Sequence, residues 1–147
     1  MKRKLMLMGL LVLVTVFAYS QKKYEIGDTG PGGGIIYLVN DEEGYTYECS
    51  DILGETTWTQ AKEDIKKYQG GGLSDWYLPD YIAAGWVYKN LKGSGLGKFG
   101  ENTYWVNSER YANSGQAYVI NFKDGDASKR HNKTNKFRYF AVRAFKM

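Results

Sequence analysis

The chain has 147 residues, of which 16% are aromatic and 24% charged, with 18 glycines, one cysteine and one histidine. Its formal charge of +4 includes Lys2, Arg3 and Lys4; without them 17 Lys+Arg face 16 Asp+Glu, so the overall balance gives no evidence for a nucleic-acid partner. A single Cys49 and a single His131 exclude an internal disulfide and a zinc-spaced Cys/His cluster, and no metal or cofactor is expected.

In chain order, Lys2-Arg3-Lys4, the apolar run Leu5 to Phe17 and the small residues Ala18 and Ser20 form the three-part pattern of a secretory signal, with cleavage expected after Ser20. The run is too short to span a membrane comfortably, so no membrane span is expected after cleavage. Residues 21–147 then suit one domain, in an exported, periplasmic, cell-surface or secreted protein. Next comes Gly27-Asp-Thr-Gly-Pro-Gly-Gly-Gly34. A phosphate loop needs Gly-x-x-x-x-Gly-Lys-Ser/Thr ahead of a helix, whereas Gly33 stands at the lysine position and a β-rich run follows. The glycines therefore read as a backbone device that lets the chain turn and enter a sheet close to another segment.

Ile35 to Val39 and the alternating Tyr45-Thr-Tyr-Glu-Cys49 predict a hairpin. Cys49 is expected to pack as a small hydrophobe, with a bridge between two chains left open. Thr57-Trp-Thr-Gln60 has the form of a capping box, and Trp58, Ala61, Ile65 and Tyr68 make one helical stripe that Gly70-Gly-Gly72 ends. A second helix follows Pro79 with Asp80 as its N-cap and Tyr81, Ala84, Tyr88 and Leu91 on its buried face. Strands are predicted at Thr103–Val106, Gln116–Phe122 and Arg138–Phe145, with a tight turn at Asp124-Gly125 and a polar, basic loop from Asp126 to Lys136. The order β, β, α, α, β, β, β predicts an α+β fold with mainly antiparallel pairing.

Five segments, "YEIGDTGPGGGIIY", the Trp58-Thr-Gln-Ala61 helix, "GGGLSDWYLPD", "YWVNSE" and "NFKDGD…FRYFAVRAF", resemble in order the Lcl C-terminal domain, found at the end of a bacterial collagen-like adhesin. The resemblance covers nearly all of residues 24–145. It implies a C-type-lectin-like arrangement, two helices flanking a small twisted antiparallel sheet, and loops that carry recognition. Two departures stand out: Tyr77 replaces the family's arginine before Leu-Pro, and Ala83-Ala84 stand where Glu-Leu is usual. The cysteines of the related formylglycine-making oxidases and the Glu-Pro-Asn, Gln-Pro-Asp and Trp-Asn-Asp signatures of calcium-dependent sugar binding are missing. Calcium through Asp124 and Asp126 stays open.

No Gly-x-Ser-x-Gly elbow is present, and Ser128 near His131 in a basic loop is weak ground for a hydrolase, so no catalytic residue is assigned. Charge is nevertheless segregated: residues 123–147 hold eight cations against Asp124 and Asp126. The candidate recognition surface joins Trp105, Asn107, Ser108, Glu109, Arg110, Tyr111 and Asn113 to the basic Lys129, Arg130, His131, Lys133 and Lys136. The expected activity is non-catalytic binding of an acidic glycan, sulfated or carboxylated, or of a host or matrix surface, as an adhesin. A structural, self-associating envelope protein, a homo-oligomer without small ligand, is the alternative, and a cryptic hydrolase the third.

Overall fold

A computed structural model describes residues 22–147; the expected signal sequence and its expected cleavage after Ser20 lie outside the described residues. The strands are β1 (Ile35–Asn40), β2 (Tyr45–Thr56), β3 (Thr103–Glu109), β4 (Gln116–Asn121), β5 (Arg130–Asn132) and β6 (Phe137–Lys146), and the helices α1 (Trp58–Lys67) and α2 (Tyr81–Val87). One six-stranded sheet has the order β1-β2-β6-β3-β4-β5, antiparallel throughout except where β3 meets β6. The α+β class and the flanking helices expected from the sequence are what the chain forms.

Strand alternation explains how one sheet serves two helices. Along β6, Tyr139 and Ala141 point to one face while Phe140 and Val142 point to the other; β3 divides Trp105 from Tyr104 and Val106 in the same way. Trp58, Ala61 and Ile65 of α1 close the first face against Trp105, Ala117 and Val119. Ala84 and Val87 of α2, with Leu91, close the second against Tyr104, Ile120, Phe122 and Phe140. The aromatic content is therefore spent largely on packing: Tyr104 and Phe122 have ring centroids 4.6 Å apart, and Phe99 meets Phe140 edge-on at 5.5 Å.

Local details correct several expectations. Thr57 Oγ1 accepts from the Gln60 N–H, yet the Gln60 amide donates to Asp64 at 2.7 Å instead of returning to the cap, so only half of the capping box forms. Asp80 caps α2 by accepting from Ala83 N–H at 2.7 Å. Beyond Val87 the chain widens into a π-helical turn, Tyr88–Lys92, and Gly93 N–H bonds back to the Tyr88 carbonyl at 2.8 Å. Part of the supposed basic loop is a strand, because Gln116, Ala117 and Tyr118 of β4 pair with Asn132, His131 and Arg130.

Cys49 sits in β2 within the α2-side core, fully buried, with its Sγ donating to Ser50 O at 3.3 Å. Burial pushes the thiol well above its ordinary range, with the neighbouring Asp51 and Glu48 adding to it. Native protein is therefore expected to react with a thiol reagent such as DTNB roughly a hundredfold or more slowly than the same protein in guanidinium. Equal rates in the two states would refute this placement, as would a native disulfide-linked dimer.

Candidate functional site

The glycine run packs onto the protein's own carboxylate. Glu48, from β2, is fully buried beneath it and accepts from Gly32 N–H at 2.9 and 3.2 Å and from Gly34 N–H at 3.3 Å. Arg143 of β6 donates Nη1 to Glu48 and clamps Asp75 with Nε and Nη2 at 2.7 and 2.9 Å. The Arg143 hydrogen bonds hold the Asp75 carboxyl below its ordinary value, against a smaller opposing effect of burial. Backbone N–H groups do converge on an anion here, but the anion is Glu48, so the loop is closed scaffolding as its sequence suggested.

A cleft lies at the far end of the sheet. The last register positions of β3 and β4 are Trp105 against Val119 and Glu109 against Ala117, so β3 advances four residues while β4 advances two. Such a bulge bends a strand and re-aims its side chains. Asn107 N–H within it bonds to the Pro79 carbonyl at 2.7 Å, tying the bulge to the segment that starts α2. The result is a cleft of about 520 Å³ lined by Tyr81, Ser108, Glu109, Tyr118 and Ala127. Arg130, opposite Tyr118 in the β4–β5 pair, lays its guanidinium 5.6 Å from the centre of that ring.

Glu109 would repel an acidic ligand if it stood alone. It is matched by Lys133, whose Nζ lies 3.1 Å from Oε1 and 4.4 Å from the centre of the Trp58 ring. Lys133 is fixed through its backbone as well: its N–H donates to Gly115 O at 2.9 Å and its carbonyl accepts from Trp58 N–H at 3.1 Å. Glu109 Oε2 is buried and accepts no hydrogen bond, leaving this carboxylate with unused acceptor capacity. Chemically the cleft offers two phenol rings for stacking, a hydroxyl, a charge-matched carboxylate and one cation beside Tyr118.

The sequence-derived site residues do not stay together. Trp105 requires correction: it is 0% exposed, and its indole N–H donates to Thr56 O at 2.9 Å, so its faces serve the core. Strand alternation then separates neighbours. His131 packs against Phe137 with centroids 4.8 Å apart, on the face away from Arg130. Asn107 is exposed and borders a smaller cavity beside α1 with Lys62, Trp76 and Tyr77. Arg110 stacks on the exposed Tyr111 at 4.9 Å past the bulge, and Lys129 and Lys136 project into solvent. Ser108 and Glu109 line the cleft and Arg130 adjoins it through Tyr118; the others do not line it.

Tyr81, Tyr118 and Ala127 were missed. Tyr118 shares its face with the buried Ile120 and Phe122 and is half-buried near the start of β4, so its period reads as core and gives no signal of the cleft. Tyr81 was placed on the buried stripe of α2 and is instead 56% exposed, at the helix's first residue. Ser128 Oγ donates to Asp126 at 2.6 Å, which removes its hydroxyl from His131 chemistry. Among the described residues no group of three His, Cys, Asp or Glu is placed to hold a metal, and no helix is long and apolar enough to cross a membrane.

No family model and no curated protein matches the chain. Among solved structures it is similar to botrocetin, at 13% identity and a TM-score of 0.44 over 74% of this chain and 95% of that one. It is similar also to the C-type lectin CEL-I from Cucumaria echinata, at 10% identity and a TM-score of 0.44 over 76% and 96%. The EPNH mutant of CEL-I gives 10% identity and a TM-score of 0.42 over 71% and 92%. What those proteins bind is theirs; the functional reading of this chain rests on its own cleft.

Proposed function

We propose that the protein is a non-catalytic binding module of the exported, adhesin-like kind that its resemblance to Lcl domains implies, and that it holds an acidic glycan in the cleft between α2 and the bulged end of β3. The observation that carries this reading is the meeting of Tyr81, Ser108, Tyr118 and the Lys133-matched Glu109 in one cleft, with the Arg130 guanidinium stacked on Tyr118. A sugar presents apolar C–H faces to the phenol rings and hydroxyls to Ser108 and Glu109, while its sulfate or carboxylate reaches Arg130, with Lys129 as an exposed neighbour.

Titration calorimetry with acidic and neutral oligosaccharides of matched size tests it. Tyr118→Ala is expected to weaken binding of the acidic ligand roughly tenfold. Arg130→Gln is expected to flatten the dependence of affinity on salt, since a partly exposed ion contact is screened as ionic strength rises. Binding that ignores both substitutions, or a preference for the neutral series, would remove the cleft from consideration.

A further inference from the structure

The outer face of α2 is apolar where a surface helix is ordinarily polar. Ala84, Val87 and Leu91 turn to the sheet, and the opposite side carries Ile82 and Trp86, 55% and 37% exposed, with Tyr81 beside them. Ile82, Trp86 and Lys89 fall at i, i+4 and i+7, a single stripe, and Lys89 Nζ lies 5.1 Å from the centre of the Trp86 ring. Tyr81 lines the cleft and, one residue before Ile82, stands about 100° round the helix from this stripe. From Tyr81 to Trp86 the helix rises roughly 7.5 Å, which sets Trp86 well beyond the cleft's mouth.

We infer that the ligand of the cleft is a chain, and that its units beyond the first lie along the outer face of α2, over Tyr81, Ile82 and Trp86 with Lys89 taking an acid group. This rests on the preceding reading of the cleft. Three observations select this occupant. The stripe begins at Ile82, the residue that directly follows the cleft-lining Tyr81. It combines flat apolar surface with a cation, the same pairing that Tyr118 and Arg130 present, and so suits a repeat of the same chemistry. The cleft itself has room for only a short segment of a polymer, so longer ligands must lie on what borders it.

The test uses chondroitin sulfate oligosaccharides of two and eight sugars, titrated against the wild type, Tyr118→Ala, Trp86→Ala and Ile82→Ser, with sedimentation of each protein alone. The wild type is expected to bind the longer probe about tenfold more tightly than the shorter. Trp86→Ala and Ile82→Ser should remove most of that gain and leave the two-sugar affinity unchanged, whereas Tyr118→Ala should weaken both probes. Equal affinities for the two lengths, or equal losses on both in the α2 variants, would overturn the inference while leaving the cleft standing. A wild-type dimer that Trp86→Ala dissolves would overturn it too, by giving this face to a second copy of the chain. Failure of both probes to bind would sink the reading of the cleft itself.

Discussion

Arg143→Met is expected to lower stability by about 3–5 kcal/mol, the range seen when one partner of a buried ion pair is removed, and to drop the unfolding midpoint by roughly 10–20 °C for a domain of this size. Arg143 is 5% exposed and Glu48 0%, so the glutamate would be left as a buried charge with only the Gly32 and Gly34 N–H groups for company. The loss should come mainly from Glu48. Asp75, whose side chain is 54% exposed, is solvated without its partner and contributes less. Glu48→Gln combined with Arg143→Met removes the orphaned charge while keeping an oxygen for the glycine N–H groups, and is expected to be more stable than Arg143→Met alone. Urea unfolding of the three proteins at neutral pH reads both effects; a single variant within about 1 kcal/mol of wild type would show that the network is decorative.

The same network has an acid signature. Asp75 is held below the ordinary aspartate value of 3.8, chiefly by its hydrogen bonds to Arg143. A group depressed on folding contributes stability that is complete above its unfolded value and lost as pH falls through its folded one. The Asp75 contribution should therefore be intact at pH 5 and above and fade below 3.8, and the wild type should lose in acid a term that Arg143→Met has already lost.

Period and punctuation made most of the architecture legible in the amino-acid sequence. The stripe Trp58, Ala61, Ile65 announced α1, the alternation in Gln116–Phe122 announced a strand, and Asp124-Gly125 announced its turn, because each of these signals depends only on near neighbours. What failed depends on partners far away in the chain. Arg130–Asn132 is a strand because Gln116–Tyr118 offers it a ladder, and nothing within three polar residues says so. Trp105 and Tyr81 exchanged their expected roles for a similar reason: an aromatic side chain has the same composition whether a helix lies over it or not. The cleft was half visible. Glu109 and Arg130 stood out by charge, but the bulge that brings Ser108 and Glu109 opposite Tyr118 is a property of register, which no local pattern encodes.

Gly34 should be more costly to replace by alanine than its neighbour Gly33. Gly33 adopts φ +77° with nothing within 4 Å of an added Cβ, so Gly33→Ala meets only backbone strain, about 1–2 kcal/mol. A Cβ on Gly34 would stand 2.4 Å from the Cys49 carbonyl oxygen, a backbone atom of the paired strand that cannot move alone. Its relief must separate β1 from β2 or tilt the loop, and either movement draws the Gly34 N–H away from Glu48. Gly34→Ala is therefore expected to lose about 3 kcal/mol or somewhat more, the upper end of what overpacking costs. The coupling follows from geometry: in an Arg143→Met background, where Glu48 is already mispaired, the further loss from Gly34→Ala should be smaller than in wild type, while the loss from Gly33→Ala should be unchanged. Chemical denaturation of the five single and double variants decides it. Additive losses, or a Gly33→Ala defect as large as that of Gly34→Ala, would mean that the run is tuned for turning alone and not for carrying two N–H groups onto a buried carboxylate.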